Sequence, residues 1–214
     1  MDRRVTLFHS PNTRSSGALL LLEELGAAYD LHVLNMKAGE HRQAAYLALN
    51  PLGKVPAIRH GNALVTEQAA IAIYLADLYP EAGLTPAIGD PRRGPFLRWL
   101  VFYGSCFEPA VVDQAMKREP GPVAMSPYGS YEAVLDALSA QLQAGPYLLG
   151  DAPTAADVLW GGALAWTTMF GLAPKRPEYM AFVERMQTRP AALRVRETDA
   201  RLSAEHEAAI ASRA

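Results

Sequence analysis

Two kinds of hydrophobic pattern divide the chain. Near its start Val5 and Leu7 point one way and Thr6 and Phe8 the other, the period of two that predicts a strand over 4–8. Ser10-Pro11-Asn12-Thr13 is a turn cluster. Leu19, Leu22 and Leu25, widened by Leu20 and Leu21, then predict a helix over 14–25, stopped by Gly26 as a left-handed residue. Leu31 and Val33 alternate in a second predicted strand over 29–34. Strand, helix and strand in that order imply a right-handed crossover and parallel pairing. A loop and a short helix carrying Tyr46, Leu47 and Leu49 fill 37–49. After a Gly53-Lys54-Val55-Pro56 turn, the apolar runs 57–59 and 63–65 flank His60-Gly61-Asn62, a hairpin signal. Thr66 and Glu67 precede an apolar-periodic run over 69–78, so Thr66 is the expected N-cap and Glu67 lies in the first turn.

Pro80, Gly83, Pro86 and Gly89 break the pattern and make 80–90 a linker between domains over 1–79 and 91–214. Beyond it only the helical period appears. Phe96, Trp99, Leu100, Tyr103 and Phe107 share one face, and Pro109 should kink or end that helix. A break at 119–122 precedes a helix over 131–142, ended by Gly145-Pro146. Thr154 and Asp157 have the spacing of a capping box, with the hydroxyl and the carboxylate each taking an orphan N–H at a helix start. Asp157 is therefore read as structural. A helix over 177–188 and a polar, alanine-rich tail finish the chain.

At 214 residues the chain can bury a sound core. With 20 basic and 22 acidic residues, a net charge of −2, nothing draws it toward nucleic acid or an acidic membrane surface. Its one cysteine, Cys106, excludes an internal disulfide and a Cys-x-x-Cys redox pair, and fits a reducing compartment. The N-terminus lacks the long apolar core of a signal peptide. The longest uncharged run, between Asp157 and Lys175, is shorter than the ~20 apolar residues of a membrane span and reads as a buried helix. The histidines have no metal-ligand spacing and no glycine-rich phosphate loop is present, so no metal is expected.

The chemistry gathers at turns. Ser10 and Asn12 lie between the first strand and the first helix, where unpaired N–H groups favour an anion such as a thiolate. Taken locally, Ser10 caps the helix and Asn12 shapes the turn. Taken with the rest, they form a constellation with a second reading.

The order of turn, hairpin and helix over 50–77 resembles the second half of the thioredoxin-like domain of glutathione transferases. The segment 150–157 is similar to that family's second-domain capping motif. The resemblance implies an α/β thioredoxin-like N-terminal domain followed by an all-α helical-bundle C-terminal domain. It implies glutathione as co-substrate, its thiolate conjugated to small hydrophobic electrophiles in a cytoplasmic homodimer, away from nucleic acid and membranes. Ser10, four residues before Arg14, resembles the catalytic serine of theta- and delta-type members, and Ser-Pro-Asn resembles the Thr-Pro-Asn of nu-type members, which brings in Asn12. The resemblance also implies a cis bond between Val55 and Pro56, with the Val55 backbone on the cysteinyl part of glutathione. Glu67 and Gln68 fall at its γ-glutamyl end, Gln68 replacing the usual serine; His41 and Lys54 fall at its glycine end. Tyr103 is the electrophile-pocket candidate, although an aromatic stripe is also what a core helix carries. Cys106 reads as a small buried hydrophobe and His60 as a hairpin-tip residue. No tyrosine or cysteine stands where other branches keep a catalytic one. Two alternatives share the fold, a glutathione-dependent disulfide or peroxide reductase and a non-catalytic interaction module.

Overall fold

The computed structural model describes residues 2–119 and 121–212. They form two compact units, one running to Ala82 and resuming at Arg189, the other spanning Gly83–Thr188.

In the first unit β1 (Val5–His9), α1 (Ser15–Glu24), β2 (Tyr29–Val33), α2 (Ala44–Leu47), β3 (Ala57–His60), β4 (Ala63–Val65) and α3 (Gln68–Leu78) follow the expected thioredoxin-like order. The sheet order is β2-β1-β3-β4. β1 pairs with β2 in parallel, Leu7 opposite Leu31, and with β3 antiparallel, Leu7 opposite Ile58. Leu7 and Ile58 are wholly buried, as are Leu19 and Leu22 of α1 and Leu75 of α3, so the alternating strand face meets the periodic helix faces as predicted. On the other side of the sheet Phe8, Leu34, Tyr46, Val55 and Ala57 form a cluster. Gly26 stops α1 with φ +60°.

Two local expectations fail. Thr66 is not the N-cap of α3. Glu67 holds that place at φ +63°, with no side-chain cap, and its carbonyl accepts the N–H of Ile71. The tail is not a tail. Residues Pro190–Ala211 form a helix, α9, whose Ala191, Ala192, Val195, Asp199 and Leu202 are buried. Their spacing is helical, but three of the five are alanine or aspartate, so the sequence shows little apolar stripe. Arg189 pairs bidentately with Glu24 of α1 at 2.7 and 2.6 Å, and Arg194 pairs with Glu23. By packing, α9 thus belongs with the sheet, whereas the sequence grouped 91–214 as one domain.

The second unit holds α4 (Arg93–Phe102), α5 (Glu108–Ala115), α6 (Tyr131–Gln143), α7 (Ala155–Met169) and α8 (Pro177–Gln187). Tyr103–Phe107 between α4 and α5 is a π-helical turn. Pro109 sits in the first turn of α5, where a missing N–H costs nothing, so the path is widened before the proline rather than ended at it. Trp160 centres the aromatic core, its rings against Trp99, Tyr103 and Phe107 and its Nε1 donating to the Trp99 carbonyl at 3.0 Å. Among the described residues no helix is long and apolar enough to cross a membrane. The Thr154–Asp157 capping box is present as predicted.

α7 and α8 meet at a glycine. A Cβ on Gly161 would lie 2.6 Å from Met186 Cβ and 2.8 Å from its Cγ. Met186 is buried, and a clash at its Cβ cannot be relieved by turning the far end of the side chain. Gly161→Ala should therefore destabilise the protein by about 1–3 kcal/mol, the cost of overpacking, despite the better helix propensity of alanine. Urea unfolding measures this, and a neutral or stabilising result would show that α8 moves aside freely.

Candidate functional site

The C-terminal edge of β1 collects most of the predicted residues. On the ladder to β3, Leu7 faces Ile58 and Phe8 faces Ala57. Continued beyond the last pair, this register sets His9 beside Pro56 and Ser10 beside Val55. β4 runs antiparallel to β3, with Val65 opposite Ile58, so the chain leaves β4 at that same edge and enters Thr66, Glu67 and Gln68. The loop after β2, parallel to β1, opens there too. Topology thus gathers Ser10, Val55, Pro56, Glu67 and Gln68 from distant parts of the chain.

Ser10 is 3% exposed. Its N–H donates to Ser15 Oγ at 3.0 Å, and its carbonyl accepts from Thr13 Oγ1 at 2.7 Å and Ser15 Oγ at 3.0 Å. Its own hydroxyl stands outside these bonds. Ser10 is not the N-cap of α1, a place taken by Arg14. Asn12 is exposed and adopts φ +56°, a left-handed turn that asparagine tolerates. Its Nδ2 donates to Ser203 Oγ of α9 at 2.8 Å.

Val55–Pro56 is cis, and Val55 is buried. The turn before it is tied down through Lys54, whose carbonyl accepts from Tyr46 Oη at 2.6 Å and Asn50 Nδ2 at 2.9 Å. The Lys54 side chain is exposed. Gly53 has φ +58°, and a Cβ there would sit 2.8 Å from the His41 carbonyl, so only glycine lets the two turns meet. His41 Nδ1 is buried without a hydrogen-bond partner among the described residues. Glu67 is exposed at the edge, and Gln68 Nε2 donates to the Arg14 carbonyl at 3.3 Å, linking the starts of α3 and α1.

Tyr103 belongs to the other unit. It is 6% exposed, its ring lies in the Trp160 cluster and its hydroxyl donates to Glu108 Oε1 at 3.3 Å. Cys106 is half-buried beside Ser105. His60, a hairpin residue, is bonded to Tyr74 Oη and the Asp2 carbonyl.

Sequence reasoning missed what lies behind Ser10. His9 is fully buried, with Nε2 3.0 Å from Asp199 Oδ1 and Nδ1 2.9 Å from Ser15 Oγ. Asp199 Oδ2 also accepts from the Asn12 N–H at 3.1 Å and from Ser16 Oγ. Burial pushes the Asp199 carboxyl up, but hydrogen bonds from His9, Ser16 and Asn12 outweigh it and hold the group below the usual carboxylate range. Farther along α9, the His206 carbonyl accepts from Asn35 Nδ2 at 3.3 Å, and Glu207 pairs with Lys37 at 3.2 Å. The last pair is exposed at both ends and adds little. No local signal joins residues 9 and 199, which is why the pair escaped notice.

The arrangement offers the exposed Glu67 carboxylate, the Val55 backbone just beyond the last β1–β3 pair and the Ser10 hydroxyl in the loop leading into α1, parts suited to binding a zwitterionic peptide and favouring an anion beside Ser10. Residues 3–77 match the family described as "Glutathione S-transferase, N-terminal domain" and 128–202 the one described as "Glutathione S-transferase, C-terminal domain". Glutathione S-transferase PARB of Nicotiana tabacum is 30% identical over 159 residues, covering 70% of this chain and 74% of that protein. A glutathione transferase structure from Methylococcus capsulatus aligns with TM-score 0.76 and 30% identity over 92% of this chain and 98% of that one. A sphingomonad glutathione S-transferase complexed with glutathione aligns with TM-score 0.75 and 29% identity over 91% and 98%.

Proposed function

The chain belongs to the glutathione S-transferase family, and from that premise we propose that it conjugates the glutathione thiolate to small hydrophobic electrophiles, with Ser10 as the residue that holds the sulfur. The β1–β3 ladder, whose last pair is Phe8 with Ala57 and which, continued by two residues, would bring Ser10 beside Val55, supports this reading. A tripeptide lying along the Val55 backbone brings its cysteinyl sulfur to the Ser10 hydroxyl. The hydroxyl donates to the sulfur, and the N-terminal end of α1 adds its partial positive charge. Both favour thiolate over thiol, as the ~8.5 pKa of a free thiol requires for reaction at neutral pH. The thiol proton leaves to solvent, the sulfur lone pair forms the new bond to the electrophilic carbon, and the leaving group departs with its electron pair.

The rest of the edge serves binding. Glu67 takes the γ-glutamyl ammonium and Gln68 donates to the adjacent carboxylate. Lys54 and His41 meet the glycine carboxylate. Pro56 fixes the turn beside Val55. Asn12 supports the turn from the α9 side. The protein is proposed to be a cytoplasmic, bacterial-type homodimer, its Ser10 placed like the theta/delta-type serine and its Ser-Pro-Asn resembling the nu-type Thr-Pro-Asn.

A thermal melt tests the binding step. Glutathione at 100 times its dissociation constant should stabilise the fold by ~2.7 kcal/mol, raising Tm by about 5–10 °C for a chain of this size. Conjugation of an aryl halide, followed by absorbance, tests the reaction. Turnover of a glutathione disulfide substrate without conjugation would replace the proposed reaction, and the absence of any thermal shift would remove glutathione from the account.

A further inference from the structure

Asp199 bonds to both sides of Ser10. Its Oδ1 meets His9, the residue before, while its Oδ2 accepts from Asn12 and Ser16, two and six residues after. Through the far side of the His9 ring the contact extends to Ser15 Oγ, which lies at hydrogen-bond distance from both the N–H and the carbonyl of Ser10. With Asp199 ionised and His9 Nε2–H donating to it, Nδ1 accepts the Ser15 hydroxyl, whose oxygen accepts the Ser10 N–H, while Thr13 Oγ1 serves the Ser10 carbonyl.

Aspartate, histidine and serine in this order have the connectivity of a hydrolytic triad. Hydrolysis is not available here. Ser15 is fully buried, its oxygen enclosed by His9, Thr13 and the Ser10 backbone, so no substrate carbonyl reaches it. The relay ends on a peptide group of the protein itself.

We propose that Asp199 is a positioning residue for the transferase reaction: a single carboxylate from α9 fixes the Ser10 peptide through His9 and Ser15, and fixes the loop beyond it through Asn12 and Ser16. The Ser10 hydroxyl is aimed by its backbone, and that backbone is held from a segment 189 residues away in the chain. This rests on the proposed role of Ser10. Orientation of that kind matters because a donor displaced by about 1 Å loses much of its effect on a reacting atom.

The test uses the full chain carrying Asp199→Asn or, separately, Ser16→Ala. Ser16→Ala removes one bond to the carboxylate and leaves His9 paired, so it reports even where Asp199→Asn fails to fold. Amide hydrogen exchange without ligand and steady-state kinetics with glutathione and an aryl halide are the two readouts. Bonds to a charged group being stronger than average, exchange at Ser10 and Asn12 should quicken by about tenfold or more in Asp199→Asn, with β2 and the Gly83–Thr188 helices unchanged. The kcat should fall about tenfold while KM for glutathione stays within about twofold, and Ser16→Ala should shift both in the same direction by less. Wild-type exchange in the loop, a uniform acceleration across the unit, or faster loop exchange with unchanged kcat would each overturn the proposal. If the wild-type protein fails to bind glutathione at all, the functional reading falls and the positioning proposal with it, and the exchange data then show separately whether Asp199 holds the loop.

Discussion

Replacing Ser10 by alanine should lower kcat/KM for conjugation about a hundredfold, the usual loss when a preorganised donor to a developing or resting anion is removed. The effect should fall on kcat more than on glutathione affinity. Most of the binding contacts proposed for the tripeptide lie elsewhere, on the Val55 backbone, Glu67 and Gln68. The substitution removes only a hydroxyl that takes no part in the loop's internal bonds, which run through the Ser10 N–H and carbonyl. The fold should therefore persist, and a melt within a few degrees of wild type checks that it does. The thiolate absorbance of bound glutathione, titrated against pH, should move to higher pH in the variant, each unit representing ~1.4 kcal/mol of lost preference for the anion. Ser10→Thr keeps the hydroxyl and should recover part of the rate. An alanine variant within threefold of wild type would assign the sulfur to another donor.

The second large effect concerns stability and lies far from the chemistry. Asp157 is wholly buried. Its Oδ1 accepts from the Leu148 N–H at 2.7 Å, and its Oδ2 from the N–H and hydroxyl of Thr154, both at 2.8 Å. Burial pushes its carboxyl above the usual range, while these same bonds pull it back, so the residue's hold comes through hydrogen bonds. Asp157→Ala strands three donors, two of them backbone N–H groups that water cannot easily reach. At about 1–3 kcal/mol for each unsatisfied group, and less than additively, the loss should be about 3–5 kcal/mol. The transition monitored by the tryptophans, which lie at 99, 160 and 166 in the helical unit, should move to lower urea concentration. Asp157→Asn keeps one carbonyl acceptor and should lose less. A loss under about 1 kcal/mol would mean that the loop over 146–154 reorganises to satisfy its own donors.

These two residues also mark what a single sequence discloses. The Thr154–Asp157 cap was legible because both partners lie within one helical turn, and so were the alternating strand over 5–8 and the Leu19–Leu22–Leu25 face of α1. Ser10, Val55 and Glu67 were singled out only through the resemblance of their turns to a family's motif, since local chemistry by itself reads Ser10 as a helix cap. What held no local signal was contact across sequence. α9 went unrecognised because its buried face is built from Ala191, Ala192 and Asp199 rather than from leucines, a surface that suits close approach to α1 but carries no hydrophobic period. Thr66 misled for the opposite reason. Its local pattern favoured a cap, and the chain instead turns through a left-handed Glu67, which leaves that carboxylate at the exposed edge. His9 looked like one more scattered histidine until its partner arrived from the far end of the chain.

The return of α9 to the first unit has a temporal side. During synthesis the strands, the Ser10 loop and the Gly83–Thr188 segment are all made before residue 190, so His9 cannot meet its carboxylate until α9 follows. Closing a contact of such long separation is slow compared with forming local helices and hairpins. Until α9 is made, the reactive loop lacks the carboxylate that bonds His9, Asn12 and Ser16, so a segment around residue 199 is what completes one around residue 10.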